Sequence, residues 1–285
     1  PTLISPVGLA FQPETGALFV TARMTELSGG ALWRVDVATG EATLIRGDLP
    51  CCRDVIDQQP TGLVFGADGF LYLGVGGLTD RGEPTQPERY RHATPEPLEA
   101  SILRVNPATG EAEVYAGGVR SPYDVAFDLT GALYATDNGT ARGQGDRVLS
   151  IQAGAHYGWP FYRSRGCDDC PLTDYSLPLQ PDLLPLPSYT LPRGMTVYDG
   201  EAFPANYVGS LFVSFWNGIE GGQRVVRLEP TLIPRDADQL ARFTPEPFVT
   251  GLIRPVDVAV SPDGALVVAD FIYGQVWRVV WTNTL

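Results

Sequence analysis

Apolar and polar positions along this 285-residue chain fall into short alternating runs separated by turns rich in Gly, Pro and Asp. A period of two in runs this short predicts β-strands. Five runs open with proline and share one pattern: Pro6-Val7-Gly8-Leu9-Ala10-Phe11, Pro60-Thr61-Gly62-Leu63-Val64-Phe65, Pro122-Tyr123-Asp124-Val125-Ala126-Phe127, Pro192-Arg193-Gly194-Met195-Thr196-Val197 and Pro255-Val256-Asp257-Val258-Ala259-Val260. The copies start 54, 62, 70 and 63 residues apart, and most continue through an Asp or Gly turn into a second apolar strand. An internal repeat of this length, made of short strands, predicts an all-β chain: a β-propeller of four-stranded antiparallel blades with five repeats.

In the second repeat the pattern gives strands over residues 62–65, 70–75, 102–106 and 113–116. The first repeat gives 9–11, 18–22, 32–35 and 42–45, and the fourth gives 195–198, 211–215, 225–228 and 247–249. The last repeat stops after its third strand, 276–280. Residues 2–4 are expected to supply the missing strand and close the ring, so residues 1–285 read as one domain. In such a meander the connection into each inner strand and the connection between strands two and three emerge on one face. That top face would carry Arg120, Arg193 and Arg254 together with the loops 76–100, 138–146 and 217–223, and function collects on such loops. Arg120 and Arg254, far apart in sequence, are thereby expected to converge on one mouth.

Charge narrows the chemistry. A formal net charge of −13 repels nucleic acid and anionic membrane surfaces. All 20 basic residues are Arg, which removes Schiff-base and lysine-base mechanisms. No run of apolar residues is long enough to cross a membrane as a helix. The four cysteines form two pairs, Cys51-Cys52 and Cys167-Asp168-Asp169-Cys170, both in connections to inner strands. Disulfides between the pairs would close a long loop and imply a periplasmic or secreted protein; a four-thiolate zinc site and a redox Cys-x-x-Cys are the other readings.

From about Gln58 to Arg278 the sequence resembles the glucose/sorbosone dehydrogenase family. The resemblance rests on Phe65-Gly66-Ala67-Asp68-Gly69-Phe70-Leu71-Tyr72, Gly118-Val119-Arg120-Ser121-Pro122-Tyr123-Asp124-Val125-Ala126-Phe127, Thr136-Asp137-Asn138-Gly139, His156-Tyr157-Gly158-Trp159-Pro160, Tyr198-Asp199-Gly200-Glu201-Ala202-Phe203-Pro204 and Arg254-Pro255-Val256-Asp257-Val258. It implies a soluble propeller that uses pyrroloquinoline quinone (PQQ) and calcium to oxidise a sugar or other alcohol, with six blades where five repeats are counted here. Carried over by position, Arg120 holds the quinone edge, Arg254 the cofactor's carboxylates, and Asn138 and Trp216 complete the cofactor contacts. Gly139 and Thr140 would coordinate calcium through their carbonyls, with Asp137 beside them.

The resemblance breaks at Gln59, where active members place the histidine that takes the sugar hydroxyl proton. Glutamine cannot accept a proton near neutral pH, and losing a general base costs about 10² to 10⁴ in rate. Gln58 and Tyr189 also stand where relatives show histidine, and Ser121 replaces an asparagine. The two histidines present are His92, a candidate catalytic residue in the 76–100 loop that could swing over the channel mouth or simply be solvated, and His156, read as structural. The expectation is therefore a dehydrogenase-like propeller with weak or no turnover. One alternative is a non-catalytic propeller binding a ligand, a protein or a polysaccharide at the top face. Another is a calcium-dependent lactonase-like hydrolase requiring Asn138, Asn217 and Asp270. Asp124, Asp257 and Asp270 could line an acidic channel or simply cap turns.

Overall fold

The computed structural model describes residues 3–24, 29–51, 59–78, 96–139, 145–159 and 179–282. The strands form five antiparallel sheets. The first holds β1 (Leu9–Phe11), β2 (Leu18–Arg23), β3 (Gly30–Val35) and β4 (Ala42–Leu49). The second holds β5 (Leu63–Phe65), β6 (Leu71–Val75), β7 (Ser101–Val105) and β8 (Ala112–Gly117). The third holds β9 (Pro122–Phe127), β10 (Leu133–Asp137), β11 (Arg147–Ile151) and β12 (Leu184–Pro185). The fourth holds β13 (Pro192–Val197), β14 (Leu211–Phe215), β15 (Arg224–Leu228) and β16 (Glu246–Val249), and the fifth β17 (Pro255–Val260), β18 (Leu266–Asp270) and β19 (Gln275–Val279). Each sheet runs in chain order from the proline-led inner strand outwards, the meander of a β-propeller blade.

The expected closing strand is not seen in the last sheet. Among the described residues that sheet has three strands, and Ile4 instead bridges Arg23 at the end of β2, with the Arg23 amide donating to the Ile4 carbonyl at 2.8 Å. The alternative partner wins because Gln59 holds the neighbouring residue: its Nε2 donates to the Ser5 carbonyl at 2.9 Å. All five residues of β19 except Val279 are exposed.

By backbone packing the chain divides into two compact units, one of residues 1–125, 139–144 and 151–181 and one of residues 126–138, 145–150 and 182–285. In the first, the core is an aliphatic cluster of Phe19, Leu32, Leu63, Leu71, Leu73 and Leu103 shared by the first two sheets. In the second, Leu184, Val197, Leu211, Val213 and Val226 form one cluster, and Tyr198, Phe212, Val258 and Leu266 another.

The repeat pattern has a steric cause at its third position. In the first unit a Cβ on Gly62 would stand 2.0 Å from Asp124 Oδ1 and 2.7 Å from Asp124 Cα. In the second, a Cβ on Gly194 would stand 2.1 Å from Asp257 Oδ1 and 2.5 Å from its Cα. Glycine in one inner strand thus makes room for the aspartate of the next, and each aspartate caps its own strand, Asp124 accepting from the Val125 amide at 2.9 Å and Asp257 from the Val258 amide at 2.8 Å. Buried hydroxyls pin the strands further: Thr21 Oγ1 donates to the Thr61 carbonyl at 2.6 Å, Thr61 Oγ1 to that of Pro122 at 2.7 Å, and Thr136 Oγ1 to that of Arg193 at 2.9 Å.

Candidate functional site

The first unit holds Gln59, Arg120 and Gly139. Gln59 is buried at the entrance to β5, 5 % exposed. Its carboxamide is occupied at both ends: the oxygen accepts from Arg23 Nε and the nitrogen donates to Ser5. Ser5 is held in a left-handed conformation, φ 47°, which few serines adopt. Gln59 is therefore a structural clamp on the N-terminal segment.

Arg120 precedes β9. Its Nη1 donates to the Gly139 carbonyl at 2.9 Å, and its guanidinium stands 5.5 Å over the ring of Trp159. The two sequence-predicted residues thus meet, and the oxygen expected to face calcium is one already presented to positive charge. Trp159 is buried, its Nε1 donor makes no hydrogen bond, and that atom lies 3.2 Å from where a Gly77 Cβ would stand. His156 is structural as expected: Nδ1 accepts from the Gly158 amide at 3.0 Å, and a Cβ on Gly118 would overlap the ring.

The second unit brings together residues from three strand ends. Arg193, at the start of β13, and Arg254, just before β17, each approach the ring of Trp216, which follows β14, at 5.4 Å and 5.7 Å. Two cations on one indole make an anion-attracting aromatic platform. Arg254 Nη1 also donates to the Trp216 carbonyl at 3.3 Å. Asp270, at the end of β18, fixes the segment: its two oxygens accept from the amides of Ile253, at 2.9 Å, and Arg254, at 2.7 Å. Phe271 lies against Trp216 at 5.5 Å. Sequence reasoning placed Arg193 at an inner-strand entrance without assigning it to the site; its signal was the Pro-Arg step opening the fourth repeat, the reverse of the Arg-Pro step at Arg254.

Asp137, expected beside the metal, is engaged by a guanidinium. Its Oδ2 accepts from Arg147 Nε at 2.7 Å and faces Nη2 at 2.6 Å, both side chains almost wholly buried, and Asp182 adds a second carboxylate to Arg147 at 3.2 Å. A carboxylate neutralised by a buried guanidinium is a poor ligand for a hard cation. Asn138 is buried beside it, 5 % exposed. No cluster of three His, Cys, Asp or Glu side chains suited to a metal exists among the described residues. The hydrolase reading weakens for the same reason: Asp270 serves backbone amides, and Asn217 Oδ1 accepts from the Gly218 amide at 2.8 Å. Asp257 is reached by solvent, yet the protein around its carboxyl desolvates it and pushes its pKa up to about 6.

Cys51 is buried and carries no free thiol. Cys52, Gln58, His92, Thr140, Cys167 and Cys170 lie outside the described residues. No helix among the described residues is long and apolar enough to cross a membrane.

An uncharacterised protein of Borreliella burgdorferi is 25 % identical over 207 residues, 66 % of this chain and 54 % of its own length. The chain spans about half the length or less of the curated relatives it matches, 54 % and 39 %. A soluble aldose sugar dehydrogenase from Escherichia coli, solved in the apo form, superposes with a TM-score of 0.62 at 16 % identity, covering 94 % of this chain and 81 % of its own. The PQQ-bound aldose sugar dehydrogenase of Streptomyces coelicolor superposes with a TM-score of 0.51 at 19 % identity, covering 98 % and 94 %. These structures share the fold. The sequence pattern of the family described as glucose/sorbosone dehydrogenase matches residues 53–276, most of the chain, and the protein therefore belongs to that family.

Proposed function

We propose that this chain is an extracytoplasmic propeller of the sugar dehydrogenase type that binds PQQ with calcium and a sugar or alcohol, and in which oxidation is slow or lost. The observation that supports cofactor binding is the pair of guanidinium groups, Arg193 and Arg254, at the Trp216 ring. A flat polycarboxylate suits that platform: forked guanidiniums match carboxylates, and the indole face accepts a planar ring. By family resemblance Arg120 holds the quinone edge, Asn138 adds an amide, and the carbonyls of Gly139 and Thr140 face calcium. With neutral carbonyls rather than carboxylates as donors, calcium affinity in the absence of the quinone is expected to be low. Bound PQQ would supply a two-electron hydride acceptor.

The chain's own contribution to proton removal is what fails. Gln59 has no titratable group, and its amide is committed to Arg23 and Ser5. That engagement also supports the second reading, a ligand-binding propeller without turnover. Extracytoplasmic placement rests on a disulfide from Cys51 to one of the other cysteines. The test is to add PQQ and calcium to the purified chain, then record quinone absorbance and dye reduction over a panel of aldoses. Binding with little turnover is expected; absence of quinone binding would remove the proposal, and robust turnover would refute the lost base.

A further inference from the structure

A cavity of about 180 Å³ opens in the second unit, between the segment after β12 and the loop joining β14 to β15, and Trp216 is not part of its lining. Its apolar wall includes Leu186, Phe215 and Phe243, and Glu220 and Arg224 line it as well. A cavity of about 150 Å³ lined by such side chains holds benzene, so this one has room for a benzyl or isobutyl group.

The polar side has defined features. Arg224 Nε donates to the Gly222 carbonyl at 3.0 Å, which fixes the guanidinium plane and leaves its outer edge for two parallel bonds to a carboxylate. Glu220 supplies the opposite charge from four residues earlier. Thr190, buried and in the lining, is flanked by two left-handed residues, Tyr189 at φ 67° and Leu191 at φ 49°; Gln223, at φ 53°, precedes Arg224. Non-glycine residues held this way are strained and collect at ligand clamps.

A simple anion is a poor occupant, because the chain carries a net charge of −13 and Glu220 shares the cavity. A zwitterion has no net charge and gives both charged side chains a partner. We propose that this cavity binds a small apolar α-amino acid, its carboxylate on Arg224, its ammonium on Glu220 and its side chain against Leu186, Phe215 and Phe243. This site is independent of the quinone reading.

Isothermal titration calorimetry of the whole chain with L-phenylalanine, phenylacetate, phenethylamine and glycine tests it. Phenylalanine is expected to bind about tenfold or more tighter than either singly charged analogue, and glycine not at all. Phe243→Trp, which fills the cavity, should abolish binding, and Arg224→Gln should weaken it about tenfold, each variant checked for folding by its thermal melt. Should Phe243→Trp fail to fold, the near-isosteric change Arg224→Gln decides. No heat from phenylalanine up to ~10 mM, equal affinity for phenylacetate, or unchanged affinity in Arg224→Gln would overturn the proposal.

Discussion

Arg120 and Gly139, nineteen positions apart, are joined by a 2.9 Å bond from guanidinium to carbonyl. Arg120→Ala removes the cation assigned to the quinone edge. A hydrogen bond to a charged group contributes about 1.5–3 kcal/mol, so PQQ affinity should fall about 10- to 100-fold, read by absorbance titration. An unchanged affinity would take Arg120 out of the cofactor site.

A histidine at position 59, where the family resemblance implies a base, should not by itself confer turnover. Gln59→His removes both the oxygen that accepts from Arg23 and the amide that donates to Ser5, two part-buried hydrogen bonds together contributing about 1–3 kcal/mol. The expected result is a lower urea midpoint and no gain in dye reduction. A gain in turnover with undiminished stability would show that the clamp is dispensable.

Arg147→Ala should be among the most destabilising single changes in the second unit. It strands the Asp137 carboxylate, which is 1 % exposed in its side chain. Removing one partner of a buried pair costs about 3–5 kcal/mol, measurable by urea unfolding, and the double variant with Asp137→Asn should recover part of the loss. Asp137→Asn should leave calcium affinity in the presence of PQQ unchanged.

Gly194→Ala inserts a methyl group 2.1 Å from Asp257 Oδ1 and 2.5 Å from Asp257 Cα. Overpacking of this kind costs about 1–3 kcal/mol or more. Asp257→Ala in the same chain should relieve only the side-chain overlap, because the contact with the Cα remains. Full recovery would mean the inner strands separate more easily than their packing indicates.

The pKa of Asp257 is raised by desolvation to about 6 from an ordinary 3.8. Between those values the folded chain keeps a proton that the unfolded chain gives up, so the contribution of Asp257 to stability is whole below the lower value and fades as pH climbs through the upper. Asp257→Asn should flatten that decline in urea midpoints measured from pH 4 to pH 7. A decline as steep as in the parent chain would assign it to other groups.

The repeats were legible because each inner strand must alternate apolar residues behind a proline, and the observed β5, β9, β13 and β17 lie within those runs. The third-position glycine and aspartate were visible as letters, but their contact was not, since it joins strands more than sixty residues apart. Arg120, Arg254 and Trp216 could be named from local strings. The Arg147 clamp on Asp137 could not: the nine residues between them mark a turn but give no sign that it lays a guanidinium on that carboxylate. Nor could the commitment of Gln59, which depends on Ser5 and Arg23 arriving from a different sheet.

The three-stranded last sheet governs how the molecule behaves in company. Along β19, Val276 and Trp277 are 69 % and 45 % exposed beside an edge that pairs with no further strand among the described residues. Such an edge is a template on which a strand of a neighbouring molecule can be laid. Mutual repulsion between chains of net charge −13 opposes such pairing, and salt shortens its reach to about 10 Å at 0.1 M. Concentrated, salty solutions are therefore where self-association should first appear, and an added lysine in β19 should suppress it.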